Sequence, residues 1–311
     1  MKNIEGEVFV VDNNSVDGSC DMIRQKFPKV RLIRNTQNLG FSKANNLAIR
    51  ESKGKCILLL NPDTVVEESS FSKCIDFMEK NPKAGGLGVK MIDGTGYFLP
   101  ESKRALPTPL VAFFKVFGLS SLFPRSKTFG KYHLSYLDKN KTHDVDILAG
   151  AFMFLRKKAL DKTGLLDEDF FMYGEDIDLS YRIQEAGYRN YYFPETTIIH
   201  YKGESTKKGS INYVLVFYRA MIIFAKKHFS RKNARVFSFL INMAIYFRAA
   251  LAIFRRTFKR IYQPLIDGIL FFGGFYFLTP VWEQIMFANK NYYPPEFIKY
   301  IVPSYILVWL F

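Results

Sequence analysis

Cysteine is scarce in this 311-residue chain: Cys20, Cys56 and Cys74 are the only three. Their wide spacing and odd number exclude a disulfide framework and a thiolate metal cluster, and fit a reducing compartment. The first residues, Met-Lys-Asn-Ile-Glu-Gly-Glu, hold no apolar run, so no secretory signal is expected there. Acids are nearly missing from residues 201–260, where Glu204 alone stands against 14 Lys and Arg, a net +13 of the chain's +15. The basic residues of that segment interleave with apolar ones, as in Ile222-Ile-Phe-Ala-Lys-Lys227 and Phe254-Arg-Arg-Thr-Phe-Lys-Arg260. Such a composition suits an anionic membrane surface. Nucleic acid would use the same residue types, but the very apolar sequence that follows favours the membrane and argues against a nucleic-acid partner. Apolar content of 48% with 16% aromatics excludes a disordered chain.

From residue 7 to about 89 short apolar runs alternate with helical stretches. Residues 8–11, 30–33, 56–60 and 86–89 read as strands, and 19–27, 41–52 and 69–81 as helices. This alternation predicts an α/β fold with a mostly parallel sheet and helices on both faces. Ligands of such sheets lie beyond the carboxyl ends of the strands. Asp12 and Asn38 sit there, where a nucleoside would contact the sheet, whereas Ser15, Asp17, Ser19 and Ser42 suit turns and helix caps. The apolar strand 56–60 stops at Asn61-Pro62-Asp63-Thr64. Asp63 is thereby held at the sheet's carboxyl edge, as a turn residue or as a carboxylate suited to Mg²⁺ or Mn²⁺ on a diphosphate.

Residues 92–145, with several prolines and basic residues, read as a long irregular insertion. Beyond it 145–147 and 152–155 are expected to be strands, 157–163 a helix, and 190–193 and 197–199 two further strands, with His200 at a strand end. His133, His143 and His228 read as solvated or packing residues.

The acid-rich stretch Gly164-Leu-Leu-Asp-Glu-Asp-Phe-Phe-Met-Tyr-Gly-Glu-Asp-Ile-Asp-Leu-Ser-Tyr-Arg runs from a loop into a helix. With Gly174 ending the loop, Glu175 and Asp176 fall in the first helical turn, where the macrodipole favours carboxylates. Helical spacing puts Asp176 on the face of Leu179, Ser180 and Ile183, and Glu175, Asp178, Arg182 and Glu185 on a polar face, with Asp178 and Arg182 as an i,i+4 pair. A carboxylate on an apolar face needs a buried partner or a chemical role.

Six segments occur in order: V-V-D-N-N-S-V-D-G-S (10–19), N-L-G-F-S-K-A-N-N (38–46), L-L-L-N-P-D-T (58–64), A-G-A-F-M (149–153), L-D-E-D-F-F-M-Y-G-E-D-I-D-L-S-Y-R (166–182) and H-Y-K-G-E-S (200–205). Together they resemble the family 2 glycosyltransferases of the GT-A fold, especially bacterial rhamnosyltransferase-like members, over roughly residues 7–205. The resemblance implies a Rossmann-like GT-A domain over 1–210 followed by a helical, membrane-associated region over 211–311. It implies that Asp12 reads the nucleoside base, that Asn14, Asn38, Gly40, Asn45 and Asn61 help hold the nucleotide, that Asp63 binds a divalent metal, and that His200 is a further metal ligand or a diphosphate contact. Asp176 would be the general base of an inverting displacement. Two departures stand out. Asn61 replaces the first acid of a D-X-D pattern, and only about seven residues precede V-V-D-N-N, so the family's first strand and helix are expected to be missing.

In the tail, residues 236–254 are apolar between basic flanks and read as an interfacial helix or a span. Residues 265–282 are a better transmembrane candidate despite Asp267, Gly273-Gly274 and Pro280, being marginally long for a core of about 30 Å. The apolar run 301–311 is too short to span and reads as a second segment cut short. The expectation is a bacterial inner-membrane enzyme with its catalytic domain on the cytoplasmic side, passing a sugar from a nucleotide-sugar donor to a lipid-linked or glycan acceptor. The rivals are an inactive nucleotide-binding remnant or membrane-bound partner, and a nucleotidyltransferase, which would release pyrophosphate.

Overall fold

The apolar run Cys56–Leu60 forms β3, and its alternate side chains enter two different cores because successive strand residues point to opposite faces. On one face Ile57 and Leu59 join Met153 and Leu155 of β7 (Phe152–Arg156). Ile49 of α2 (Phe41–Glu51), Leu160 of α6 (Lys157–Thr163) and Leu179 and Ile183 of α7 (Glu175–Glu185) cover that face. On the other, Cys56 and Leu58 pack with Phe152 and Phe154 beneath Cys74 and Met78 of α3 (Ser70–Lys80). The computed structural model describes residues 4–201, 211–287, 292–294 and 296–310.

Helices on both faces match the expectation; a mostly parallel sheet does not. Among the described residues the main sheet has six strands in the order β3-β7-β5-β8-β4, where β4 is Thr64–Val66, β5 Ala84–Ile92 and β8 Arg189–His200, with β6 (His143–Val145) also on β8. Only β5 and β8 run parallel within it; the other pairs are antiparallel. The reason lies in the insertion. β7 starts opposite the carboxyl end of β3, with Phe152 paired to Leu60, so it runs back between β3 and β5. A parallel neighbour would have required a crossover to the far end of the sheet.

The two strands expected at 190–193 and 197–199 are one strand. Phe193 pairs with Val89 and Thr197 with the next residue, Lys90, which leaves Pro194-Glu195-Thr196 looped out of register. Pro194 has no N–H for a ladder, so a bulge is its natural place. Close packing also shapes β5: a Cβ on Gly86 would lie 2.5 Å from a Leu148 methyl and 2.9 Å from Asn190 Oδ1. Strand β1 (Phe9–Asp12) pairs in parallel with β2 (Arg31–Arg34) as a separate two-stranded sheet, with α1 (Ser19–Lys26) between them in sequence.

The insertion holds short elements: a 3₁₀ turn at Pro100–Ser102, α4 (Pro109–Val116) capped by Thr108 Oγ1, α5 (Leu119–Leu122) and a second 3₁₀ turn at Phe129–His133. Helix α8 (Ile211–His228) follows β8, and a continuous helix, α9, covers Arg231–Phe287.

Contacts divide the chain into Met1–Asn242 and Met243–Phe311. Of the apolar run 236–254, Phe237 and Ile241 are buried in the first unit, Phe237 edge-on to Phe229. In the second, Ile253–Phe287 is long and apolar enough to cross a membrane, with a mean hydropathy of 1.5 in its most apolar window. It contains the 265–282 candidate, with Pro264 and Pro280 inside the helix. Residues Val302–Leu310 form α10.

Leu155 is fully buried between β3 and β5. Leu155→Ala should therefore cost about 2–5 kcal/mol of stability, read as a lower urea midpoint at unchanged slope.

Candidate active site

β1 delivers Asp12 to the carboxyl end of the small sheet. Its carboxylate accepts the backbone N–H of Asn14 and of Ser15, each at 3.2 Å, and closes the turn. Asn14 takes φ 71°, a left-handed conformation asparagine tolerates. The Ser15 side-chain hydrogen bond, with help from Cys20 and against burial, holds the Asp12 carboxyl below its ordinary range. Asn13 donates to Gly40 O at 3.2 Å, and Asn38 Oδ1 accepts the Gly40 N–H at 2.9 Å, so the D-N-N and N-L-G turns meet.

Gly40 is irreplaceable by geometry. Its φ is 82°, and a Cβ there would stand 2.5 Å from Phe171 O. That close approach lets the next residue, Phe41, donate to the same carbonyl at 2.8 Å and ties the turn to the loop before α7. Asn45 only bonds back to Phe41 O within its helix. Its neighbour Asn46, which no sequence signal separated from it, is buried. Asn46 donates to Leu166 O and Glu168 Oε1 and accepts from Leu166 N, bracing α2 against the acid-rich loop.

A second group gathers at the end of β3. Thr64 of β4 (Thr64–Val66) pairs with His200, and Tyr201 N donates to Asp63 O at 3.0 Å, which brings Asp63 and His200 side by side. His200 Nε2 stands 3.2 Å from Asp63 Oδ1, an enclosed oxygen that lacks a well-aligned hydrogen-bond donor. Asn61 N donates to Ala151 O at 3.1 Å, linking this group to the A-G-A segment.

That segment leads to Asp176. Gly174, at φ 85°, ends the loop and α7 begins at Glu175, as the sequence indicates. Asp176 Oδ1 accepts the Ile177 N–H at 2.8 Å, and Oδ2 accepts from Gly150 N at 3.3 Å and from Arg104 Nη2 at 2.5 Å. The side chains of Asp176 and Arg104 are only 13% and 12% exposed. The polar face expected for the other acids is covered at Glu175 and Asp178 and stays open at Glu185. Asp178 is 1% exposed, paired with Arg182 as anticipated and also with His228 Nε2 at 2.6 Å. Glu175 is 6% exposed, with Oε2 lacking any partner. Asp167 and Asp169 both meet Lys227 Nζ at 2.5 Å.

A family model described as "Glycosyltransferase like family 2" matches residues 2–213. The chain belongs to this family. It is 29% identical over 233 residues to the N-acetylglucosaminyl-diphospho-decaprenol L-rhamnosyltransferase of Mycobacterium tuberculosis, covering 71% of this chain and 75% of the relative. Rhamnosyltransferase WbbL of Escherichia coli K12 is 30% identical over 169 residues, 52% of this chain and 61% of its own. Among solved structures it is similar to the mannosyltransferase PcManGT of Pyrobaculum calidifontis in complex with GDP-Man and Mn²⁺, with TM-score 0.47, 16% identity and coverage of 97% and 75%.

In this glycosyltransferase the Asp63–His200 pair is chemically suited to a divalent cation. It offers a carboxylate oxygen and an imidazole nitrogen, and the enclosed Asp63 oxygen lacks a donor. Among the described residues no group of three or more His, Cys, Asp or Glu side chains is arranged to hold a metal ion.

Arg104 and His228 carried no sequence signal of a role at the site. Arg104 lies in the proline-rich insertion and His228 at a helix end, each far in sequence from the acid it meets. Burial, reinforced by the Asp176 charge, pushes Glu175 from the ordinary 4.5 up to about 8.

Asp178→Ala, which takes the buried carboxylate away from the half-buried Arg182 and His228 side chains, should cost about 3–5 kcal/mol in denaturant titrations. Lys227→Ala, with its pairs partly exposed, should cost no more than about 1 kcal/mol. Between pH 4.5 and about 8 an unfolded Glu175 releases a proton that the folded one keeps, so its stabilisation falls across that window. Glu175→Gln should flatten the corresponding slope of stability against pH.

Proposed function

We propose that the chain is an inverting glycosyltransferase in which Asp176 is the general base. The acceptor hydroxyl oxygen forms a bond to the anomeric carbon, the bond from that carbon to the nucleoside diphosphate breaks, and the hydroxyl proton passes to Asp176. The carrying observation is the setting of Asp176. Three donors hold its carboxylate on one side, from Ile177, Gly150 and Arg104, and its side chain keeps a small exposed area for an acceptor.

Asp12 and the turn around Asn38 and Gly40 hold the nucleoside. Asn14, Asn45 and Asn61 belong to the same donor side, although Asn45 Nδ2 is engaged within its helix. Asp63 and His200 hold Mg²⁺ or Mn²⁺, which when bound neutralises charge on the departing diphosphate.

The sugar is a hexosyl or rhamnosyl group and the acceptor a lipid-linked or polysaccharide chain. The names of the mycobacterial and E. coli relatives support this. The +13 charge of residues 201–260 and the apolar stretch Ile253–Phe287 support action at the cytoplasmic face of a bacterial inner membrane, where anionic lipid attracts basic segments.

With Mn²⁺ and a panel of nucleotide sugars, the purified protein should release nucleoside diphosphate in a donor-dependent way. Asp176→Asn should lower that turnover by roughly 10²–10⁴-fold. Equal turnover by the variant would remove Asp176 from the mechanism.

A further inference from the structure

The first turn of α7 presents two adjacent carboxyl groups, Glu175 and Asp176, in surroundings too dry for two like charges. Asp176 has its full set of donors, whereas Glu175 Oε2 has none. What separates them is Arg104, from the insertion. Its Nη2 donates to both Asp176 Oδ2 and Leu148 O, and its backbone carbonyl accepts the Ile147 N–H at 3.0 Å. The guanidinium is thus fixed at both ends of the residue and aimed at one carboxylate.

We propose that Arg104 is a positioning residue for the transfer reaction, which assigns the single negative charge of the Glu175–Asp176 pair to Asp176 and keeps Glu175 protonated beneath it. The inference rests on the reading of Asp176 as base and deepens it. A base must be ionised when the acceptor arrives. Two carboxyls in contact share their protons as a unit, so without a cation on one of them the charge is divided. The charged and titratable groups around Asp176 are Arg104 and, beside it, Tyr132 from the insertion, and Glu175 and Asp178 on its own helix, with Tyr218 of α8 beyond Tyr132.

Burial and the Asp176 charge raise Glu175 to about 8. For Arg104 burial is the largest single influence and acts against the charge, but the attraction and hydrogen bond of Asp176, together with Tyr132 and Glu175, outweigh it and raise the guanidinium. The two directions agree with the geometry.

The test is a pH–rate profile of Arg104→Gln and Arg104→Lys beside Asp176→Asn, with folding checked by circular dichroism. Losing the cation raises the proton affinity of Asp176, so in Arg104→Gln the acid limb of kcat/KM should move up by about one pH unit or more. Its kcat should fall at least about tenfold, by the same reasoning, with donor KM unchanged. Arg104→Lys should restore the limb and much of kcat, which a purely structural role would not do. A wild-type kcat and limb in Arg104→Gln, while Asp176→Asn is inactive, overturns this inference alone; full activity of Asp176→Asn overturns the assignment of the base.

A second readout needs no turnover and covers the case in which the Arg104 variants do not fold. Infrared difference spectra at pH 7 should show a protonated-carboxyl band that Glu175→Gln removes. No such band, or one that survives in Glu175→Gln, refutes the charge assignment.

Discussion

Three carboxylates enter the first turn of α7, and the structure around them is arranged so that no two share a cation. Asp176 has Arg104, Asp178 has Arg182 and His228, and Glu175 has neither and is raised to about 8. Helix-dipole attraction alone would favour all three equally, at a few tenths to one kcal/mol each. Burial makes them unequal, because a buried charge without a partner costs several kcal/mol. The partners come from three separate regions: the insertion, the same helix, and the end of α8. Folding of those regions and charging of the site are therefore one event.

The rest of the site is positioned by hydrogen bonds that converge on the loop before α7. Asn46 grips Leu166 from both its donor and acceptor sides, and the N-L-G turn rests on Phe171 O through a glycine that no other residue can replace. The donor-side turns and the acid-rich loop are consequently held together by α2. On the other side, the A-G-A segment touches Asn61 through Ala151 and Asp176 through Gly150. A Cβ at position 150 would stand in ordinary contact with the Asp176 Cβ, at 3.6 Å, and with a carboxyl oxygen of each of Asp176 and Glu175 at 3.8 Å, so this segment lies directly against the acid pair.

A mixed sheet serves this arrangement better than a wholly parallel one. By running back from the carboxyl end of β3, β7 puts the A-G-A segment at the edge where Asp63 and His200 meet. The bulge in β8 at Pro194-Glu195-Thr196 lets one strand pair with β5 along both halves and still deliver His200 opposite Thr64.

Much was legible in the sequence because it is encoded locally. The strand at 56–60, the helix beginning at Glu175 after a left-handed Gly174, and α6 ending at Gly164 follow from apolar runs and glycine stops that act within a few residues. The Asp178–Arg182 pair is likewise local, four residues apart on one helix. The family, too, was legible, since its motifs are short and ordered along the chain. Strand direction was not, because periodicity is the same for a strand run either way. Nor was the burial of Glu175, the bond from His228 to Asp178 or the bond from Arg104 to Asp176. Those partners stand 50 and 72 residues away in the chain, and only packing of the insertion and α8 onto α7 excludes the water that would otherwise make the three acids alike.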